Sequence, residues 1–178
     1  YALPAEPALV PLTLTLPHCR QAVQRWLRFT EGKAVVADLA KLAPARTGIQ
    51  FRGKAEQPLT AESGATFRAA TNTVGGAEKS GFFCHPPYQG GVGLAFGEFE
   101  AALPDAPCVF ETFVGFTDGS TTADGCVFSV EVKAGEKWET AGKLQFGELK
   151  KWKPFRADLT MFRGKKVALR LVTDVGPA

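Results

Sequence analysis

The feature that most constrains this chain is a pair of apolar runs, residues 109–116 and 126–132, that flank a polar loop. Both runs are rich in β-branched and aromatic residues, which favour strands. The loop holds two Asp-Gly pairs, beginning at Asp118 and Asp124, and this dipeptide readily adopts the positive φ angles of turns. The pattern therefore predicts two antiparallel strands joined by a structured loop.

The second run shows the alternation of a strand with one buried face. Apolar side chains at positions 126, 128, 130 and 132 alternate with Ser129, Glu131 and Lys133, and only Val127 departs from the pattern. A similar run at residues 166–173 is the clearest strand near the C-terminus. From these strands we expect six core residues: Phe110, Phe113, Phe128, Val130, Leu169 and Leu171.

The composition favours many short strands and turns over a helical bundle. The 178 residues include 14 Phe, 19 Gly and 12 Pro, and their number fits one main domain. We predict an all-β fold, an antiparallel β-sandwich of jelly-roll type with few short helices. Residues 1–64 are expected to form an N-terminal extension or a strand-contributing segment, and residues 65–178 a β-sandwich binding domain.

Charge and hydropathy exclude some classes of partner. The net charge of +3 is too weak and too dispersed to indicate nucleic-acid binding, and no apolar run is long enough to span a bilayer. The sequence starts at Tyr1 instead of Met, which fits either a mature form after removal of a signal or an excised fragment. We expect a secreted, periplasmic or cell-surface location.

The cysteines leave their redox state open. Four are present, and their spacing matches neither a dense disulfide scaffold nor the CxxC pairs of zinc sites. One or two disulfides and buried free thiols are both compatible with it. The adjacent pairs His18-Cys19 and Cys84-His85 could bind zinc only if folding brought them together, and adjacent ligands have unusual geometry. We therefore expect no metal ligands.

Residues 81–178 resemble the NPCBM family, which are carbohydrate-binding modules of some glycoside hydrolases with a galactose-binding-like β-sandwich. Four segments carry the resemblance in order: GFFCHP from Gly81, VGFTDG from Val114 with Asp124-Gly after it, VFSVEV from Val127, and VALRLVTDVG from Val167. The resemblance implies a non-catalytic carbohydrate-binding module of a larger exported, bacterial protein. No cofactor is expected, apart from a possible structural Ca²⁺.

The first candidate ligand residues are His85 and Tyr88, which lie on a stretch rich in proline and glycine. Sugar sites combine an aromatic face with a few fixed hydrogen-bonding groups, and a stiff loop can supply both. A loop histidine can equally serve to satisfy backbone groups.

The second candidate comprises Asp118 and Asp124, with Ser120 between them. Several oxygens on one short loop can bind Ca²⁺ or sugar hydroxyls. The alternative is that these aspartates only form the local backbone hydrogen bonds of Asp-Gly turns.

Trp152, and with it Trp138, is the third candidate, because a tryptophan can present a flat platform to a sugar ring. Tryptophans of a small sandwich more often belong to its core. No nucleophile and base, and no paired carboxylates, stand in a catalytic motif, so we expect no enzymatic activity.

The alternative function is protein interaction or assembly through a sheet edge. The strand at residues 166–173 is followed only by Asp174-Val-Gly-Pro-Ala, which turns and stops. We therefore expect an unpaired edge beside this strand, closed by an N-terminal strand near residues 12–16 or 34–39, by self-association, or by a partner strand.

Overall fold

The computed structural model describes residues 9–14, 23–28, 35–121 and 124–176, with side chains for the last two ranges. The chain divides into two compact units, Tyr1–Val36 and Ala37–Ala178. In the first unit β1 (Leu9–Leu14) and β2 (Val23–Arg28) form a two-stranded antiparallel sheet. Alternating apolar and polar residues favour this pairing.

The described part of the second unit is built from strands and three single turns of 3-10 helix, at Leu39–Lys41, Ala61–Ser63 and Thr160–Phe162. The strands are β3 (Arg46–Phe51), β4 (Gln57–Pro58), β5 (Thr66–Val74), β6 (Ala77–His85), β7 (Gly93–Ala102), β8 (Val109–Val114), β9 (Cys126–Lys133), β10 (Trp138–Phe146), β11 (Lys153–Asp158) and β12 (Lys166–Asp174). The predicted all-β class is confirmed. No helix in the described residues is long and apolar enough to cross a membrane.

The largest sheet has six strands in the order β10-β9-β12-β7-β3-β4, and all its pairings are antiparallel. Two antiparallel pairs, β5 with β6 and β8 with β11, complete the second unit. β3 and β4 belong to the main sheet, although both precede residue 65.

The predicted hairpin between residues 109–116 and 126–132 is wrong. β8 pairs with β11, whereas β9 pairs with β10 and β12. The loop between them is tied to β5, because the backbone N–H of Asp118 donates to the Thr73 carbonyl at 2.9 Å. Placing the two apolar strands in different sheets lets them pack face to face, so that Phe110 on β8 contacts the cluster around Val130 on β9.

The core lies between the six-stranded sheet and the two strand pairs. One cluster joins Val132, Val167 and Leu169 of the sheet to Leu159 and Phe162, which follow β11. A second joins Val130 to Phe155 and Ala157 of β11, and a third contains Ile49, Ala65 and Ala95. The rings of Phe67, Phe82 and Phe99 extend this core between β5, β6 and β7.

Five of the six expected core residues lie in or against these clusters. Val130 and Leu169 are buried, and Phe110, Phe128 and Leu171 are partly buried against them. Phe113 is the error, because its side chain is 49% exposed. It lies on the outward face of β8, where alternation along a strand identifies two faces but not which of them is inside.

The expected unpaired edge beside residues 166–173 is also wrong. β12 lies in the middle of the sheet, with β7 on one side and β9 on the other. Both neighbours precede it in the chain by many residues, and local sequence carries no signal for such distant pairing. The edges of the sheet are β10 and β4.

Candidate binding surface

Three segments meet at the turn between β5 and β6. The carboxylate of Asp118 accepts hydrogen bonds from the backbone N–H groups of Gly75, at 2.6 Å, and Gly76, at 2.9 Å. Both glycines have positive φ, 59° and 75°, which places their amides toward the carboxylate. The Lys150 carbonyl lies against Gly75, where a Cβ atom would clash with it. The turn is therefore fixed by the loops that follow β8 and precede β11.

The hydrogen bonds of Asp118 fit the alternative in which this aspartate binds backbone groups of a turn. Hydrogen bonds from Gly76 and Gly75 lower the pKa of its carboxyl, and the nearby charge of Lys150 lowers it further. Each carboxylate oxygen thus already has a backbone donor. Its role in ligand binding stays a prediction.

Trp152 belongs to the same junction. Its indole Nε1 donates to the Ala77 carbonyl at 2.9 Å, which fixes the orientation of the ring. The side chain is partly buried and lies against Gly115, which leaves room for it. The ring is therefore held between the β5–β6 turn and the start of β11.

Beside Trp152 lies a surface that the sequence did not predict. The Lys79 ammonium on β6 is 4.1 Å from the centroid of the Phe113 ring and 5.9 Å from that of Trp152. Phe113 is half exposed, and Pro154 lies opposite it on β11. We call Lys79, Phe113 and Trp152 the aromatic–lysine surface. It joins β6 to the β8–β11 pair through side chains.

His85 and Tyr88 form a separate group at the other end of β6. Their ring centroids are 5.1 Å apart in an edge-on arrangement, and His85 Nδ1 is 2.7 Å from the Pro86 carbonyl oxygen. The Tyr88 ring is 59% exposed and lies over Gly64, where any larger residue would clash with it. The group therefore presents a second aromatic side chain to solvent.

The structure does not bring the five predicted site residues together. Asp118 and Trp152 contact the turn next to Ala77, whereas His85 ends the same strand about 27 Å away, at about 3.4 Å per residue. Asp124 is exposed in the loop before β9, and no described hydrogen bond or ion pair joins it to either group. Only the Asp118–Trp152 group adjoins the aromatic–lysine surface.

A further cluster that sequence reasoning missed lies on the outer face of the six-stranded sheet. The Arg170 side chain is 5% exposed, and its guanidinium lies 4.1 Å from the Phe96 ring centroid and 4.0 Å from that of Trp138. It donates to Glu56 and Glu98, each at 2.7 Å, and Glu131 is 3.7 Å away. In the sequence this arginine occupies an ordinary polar position of an alternating strand.

Most charges in this cluster are balanced by a nearby opposite charge. Burial would raise the pKa of Glu56, but hydrogen bonds and charge from Arg170 and Arg46 lower it overall. Burial raises the pKa of Glu131, and Arg170 offsets only part of that rise. Arg170 Nε is buried without a partner among the described residues. Because its members come from β3, β7, β9, β10, β12 and the residue before β4, this cluster ties the strands of the sheet together.

The described cysteines are free thiols: Cys84, Cys108 and Cys126. Burial raises the pKa of Cys84 to about 12 and that of Cys126 to about 11, so neither is a reactive thiolate near neutral pH. Cys84 Sγ approaches the Ala95 carbonyl inside the core, whereas the next residue, His85, is exposed. Consecutive strand residues face opposite sides, so this pair is not arranged to hold one metal ion.

No set of three or more His, Cys, Asp or Glu in the described ranges is placed to hold a metal ion. The pair His18-Cys19 lies outside the described residues.

No family model, curated protein or solved structure matches the chain. The similarity to NPCBM modules and the galactose-binding-like form of the sandwich therefore stay predictions.

Proposed function

We propose that this chain is a non-catalytic carbohydrate-binding module that binds its ligand on the aromatic–lysine surface. The observation that carries the proposal is a half-exposed Phe113 next to a Trp152 ring fixed by its own hydrogen bond. Sugar rings place their C–H groups on such aromatic faces, while neighbouring polar groups bind the hydroxyls. The Lys79 ammonium supplies the polar group.

Rigid support favours binding, because little side-chain freedom is lost when the ligand arrives. Phe113 and Pro154 occupy opposite positions of paired strands, and Trp152 directly precedes β11. The indole hydrogen bond to Ala77 contributes about 0.5–1.5 kcal/mol toward holding the ring. The surface is thus formed largely before a ligand binds.

The position of Lys79 over Phe113 is compatible with stacking of a sugar there. A cation–π contact at an exposed site is worth about 0.5–1 kcal/mol. A hydrogen bond from a charged group contributes about 1.5–3 kcal/mol. The ammonium can therefore leave the face of the Phe113 ring and donate to a sugar oxygen instead. The flexible four-carbon stem of lysine permits that movement.

In this proposal His85 and Tyr88 form an accessory contact. They lie about 27 Å from the turn at Ala77, estimated at about 3.4 Å per residue along β6. Only an extended polysaccharide could contact both groups at once. A short oligosaccharide would therefore depend on Phe113 and Trp152 but not on Tyr88.

The proposal places substrate chemistry on another domain of a larger exported protein. Asp118 is the carboxylate beside Trp152 at the turn, and both its oxygens already accept backbone hydrogen bonds. A general acid or nucleophile needs a carboxylate free to face the substrate. We expect no turnover of aryl glycosides or esters, and turnover abolished by Asp118→Asn would contradict a non-catalytic role.

A glycan array with the purified chain, followed by calorimetry on the best ligand, tests the proposal. Phe113→Ala should weaken binding about two- to twelvefold, because an aromatic contact is worth about 0.5–1.5 kcal/mol and a tenfold change is about 1.4 kcal/mol. Trp152→Phe keeps an aromatic ring but removes the bond to Ala77, and it should weaken binding less.

Met161→Ala is the matched control, since Met161 is 68% exposed on the turn after β11. Urea unfolding of each variant separates lost binding from lost folding. If the chain retains no glycan on the array, or if Phe113→Ala binds the ligand as tightly as the wild-type chain does, the proposed site is wrong.

The free side of β10 favours a second candidate function, which is docking of another chain by strand addition. In the described part of the chain β10 pairs with β9 alone. A register shift between Thr140 and Gly142 interrupts this edge, and Gly142 packs against Ala157 of β11. Such bulges and coverage discourage strand addition, so sugar binding is the first proposal. Light scattering over a concentration series tests the alternative, which requires a dimer or larger species.

A further inference from the structure

We infer that the aromatic–lysine surface prefers acidic glycans, meaning sugars that carry an anionic group such as a carboxylate, with Lys79 as the residue that determines this specificity. The inference rests on the proposed carbohydrate-binding function and adds the chemical class of the ligand. It is carried by the environment of the Lys79 ammonium and by the charges around Trp152.

Lys79 is a partly buried cation whose neighbours are aromatic rings. Its ammonium lies over Phe113 at 4.1 Å and near Trp152 at 5.9 Å, and no carboxylate pairs with it in the described part of the chain. Two other basic residues of β11 and the loop before it do have acidic partners: Lys151 pairs with Glu148 at 2.7 Å and Arg156 with Glu111 at 2.9 Å. The charge of Lys79 is therefore left for a ligand.

Most of the remaining charges near Trp152 are compensated by opposite charges. The Asp118 carboxylate is bonded to the turn and is close enough to Lys150 for its charge to be felt. The Lys151 ammonium donates a hydrogen bond to the Glu148 carboxylate at 2.7 Å. Lys153, which follows Trp152, also acts on Glu148, so the positive excess of this surface comes from Lys79 and Lys153. The Lys79 ammonium is the one that lies against the two rings on which a sugar would stack.

A carboxylated sugar satisfies both features at once. When a sugar ring lies flat on an aromatic face, its carboxylate projects from the ring edge, where a neighbouring ammonium can reach it. A hydrogen bond between two charged groups is about twice as strong as one between neutral groups. A neutral sugar offers the ammonium only hydroxyl oxygens, so it should bind less tightly.

The test is calorimetry with three probes of equal length: a uronate oligosaccharide, its neutral counterpart and a sulfated oligosaccharide. The wild-type chain should bind the uronate about tenfold more tightly than the neutral sugar, and added salt should reduce this preference by screening. Similar gains for uronate and sulfate would support recognition of the negative charge by Lys79, whereas no gain for either anionic probe would overturn the inference.

Lys79→Gln should reduce the preference to about twofold or less, and it should weaken binding of the neutral sugar by a smaller factor than binding of the uronate, because the ammonium donates to hydroxyls of the first and to the carboxylate of the second. Lys79→Arg should retain a preference, because the charge is kept. Lys143→Gln is the control, since Lys143 is an exposed lysine on β10. Equal urea midpoints among the variants exclude a folding effect.

The outcomes separate the two proposals. Equal affinity for acidic and neutral sugars, or a preference that survives in Lys79→Gln, overturns the inference and leaves the proposed function standing. Failure of all three probes, together with no hit on a glycan array, overturns the proposed function itself.

Discussion

Single residues show how this fold manages buried charge. Arg170 lies on a central strand with its guanidinium between two aromatic rings and two hydrogen-bonded glutamates. Such a group is costly to desolvate, and it is tolerated because its charge is paired and its planar faces are covered. Removing the guanidinium would leave the carboxylates of Glu56 and Glu98 with the half-exposed Arg46 guanidinium, at 2.9 and 3.1 Å, as their remaining described counter-charge.

We therefore expect Arg170→Met to lower the free energy of unfolding by about 3–5 kcal/mol, the typical cost of breaking a buried ion pair. Arg170→Lys should also destabilise, because lysine cannot form the same fork of hydrogen bonds. The control is Arg156→Met, whose ion pair with Glu111 is exposed and should be worth about 0–1 kcal/mol. Urea unfolding measures both, and equal losses would contradict the role of the cluster.

Asp118 makes a pH-dependent contribution to stability. Hydrogen bonds from Gly76 and Gly75 lower the pKa of its carboxyl in the folded state. A carboxyl whose pKa is lowered in the folded state stabilises the fold at pH values above its unfolded-state pKa, which is about 4. This contribution is lost as the pH falls through the folded-state pKa. We expect Asp118→Asn to flatten the fall in the urea midpoint between about pH 5 and about pH 2.

The control for Asp118→Asn is Glu139→Gln, which removes the charge of an exposed glutamate on β10. If both variants keep the wild-type pH profile, Asp118 does not stabilise the turn through its charge.

At the scale of elements, β7 packs closely against β5. Gly97 faces the Phe67 ring of β5, and a Cβ atom on Gly97 would overlap that ring. Phe67 cannot easily move away, because its ring stacks on Phe82 at 5.0 Å and is buried. The absence of a side chain at Gly97 thus lets the layers approach.

We expect Gly97→Ala to destabilise the protein by about 1–3 kcal/mol through overpacking. Gly81→Ala on β6 is a matched strand glycine with no atom near its added Cβ. It should be neutral or stabilising by up to about 1 kcal/mol, because alanine loses less backbone freedom on folding. Thermal and urea unfolding of both variants check the signs, and a stabilising Gly97→Ala would disprove the close approach.

At the scale of the whole molecule, the main sheet depends on residues that precede the expected domain boundary at residue 65. β3 pairs with the first six residues of β7, from Gly93 to Glu98, and Ile49 on β3 is 1% exposed. Glu56 also supplies a partner of Arg170. The second unit, Ala37–Ala178, contains all these interactions.

A chain of residues 37–178 should therefore fold cooperatively, whereas residues 65–178 should be much less stable or aggregate. The shorter chain leaves one side of β7 unpaired and exposes the site of Ile49, and an open edge invites aggregation. Circular dichroism with urea unfolding and size-exclusion chromatography distinguish the two. Equal stability would place the boundary at residue 65 after all.

The sequence by itself determined the all-β class, most strand positions and most of the expected core, because these follow from local alternation and from residue preferences for strands. It also indicated Trp152 and Asp118, which the structure places at one turn. Local alternation cannot tell which sheet a strand joins or which of its faces lies outside.

Tertiary structure decided those questions. It separated β8 from β9, moved β12 to the centre of the sheet and turned Phe113 outward beside Lys79. It also assembled the Arg170 cluster from residues far apart in the chain. The physical reason is the same in each case: these contacts depend on which distant apolar faces bury one another, and that pairing minimises exposed surface over the whole molecule.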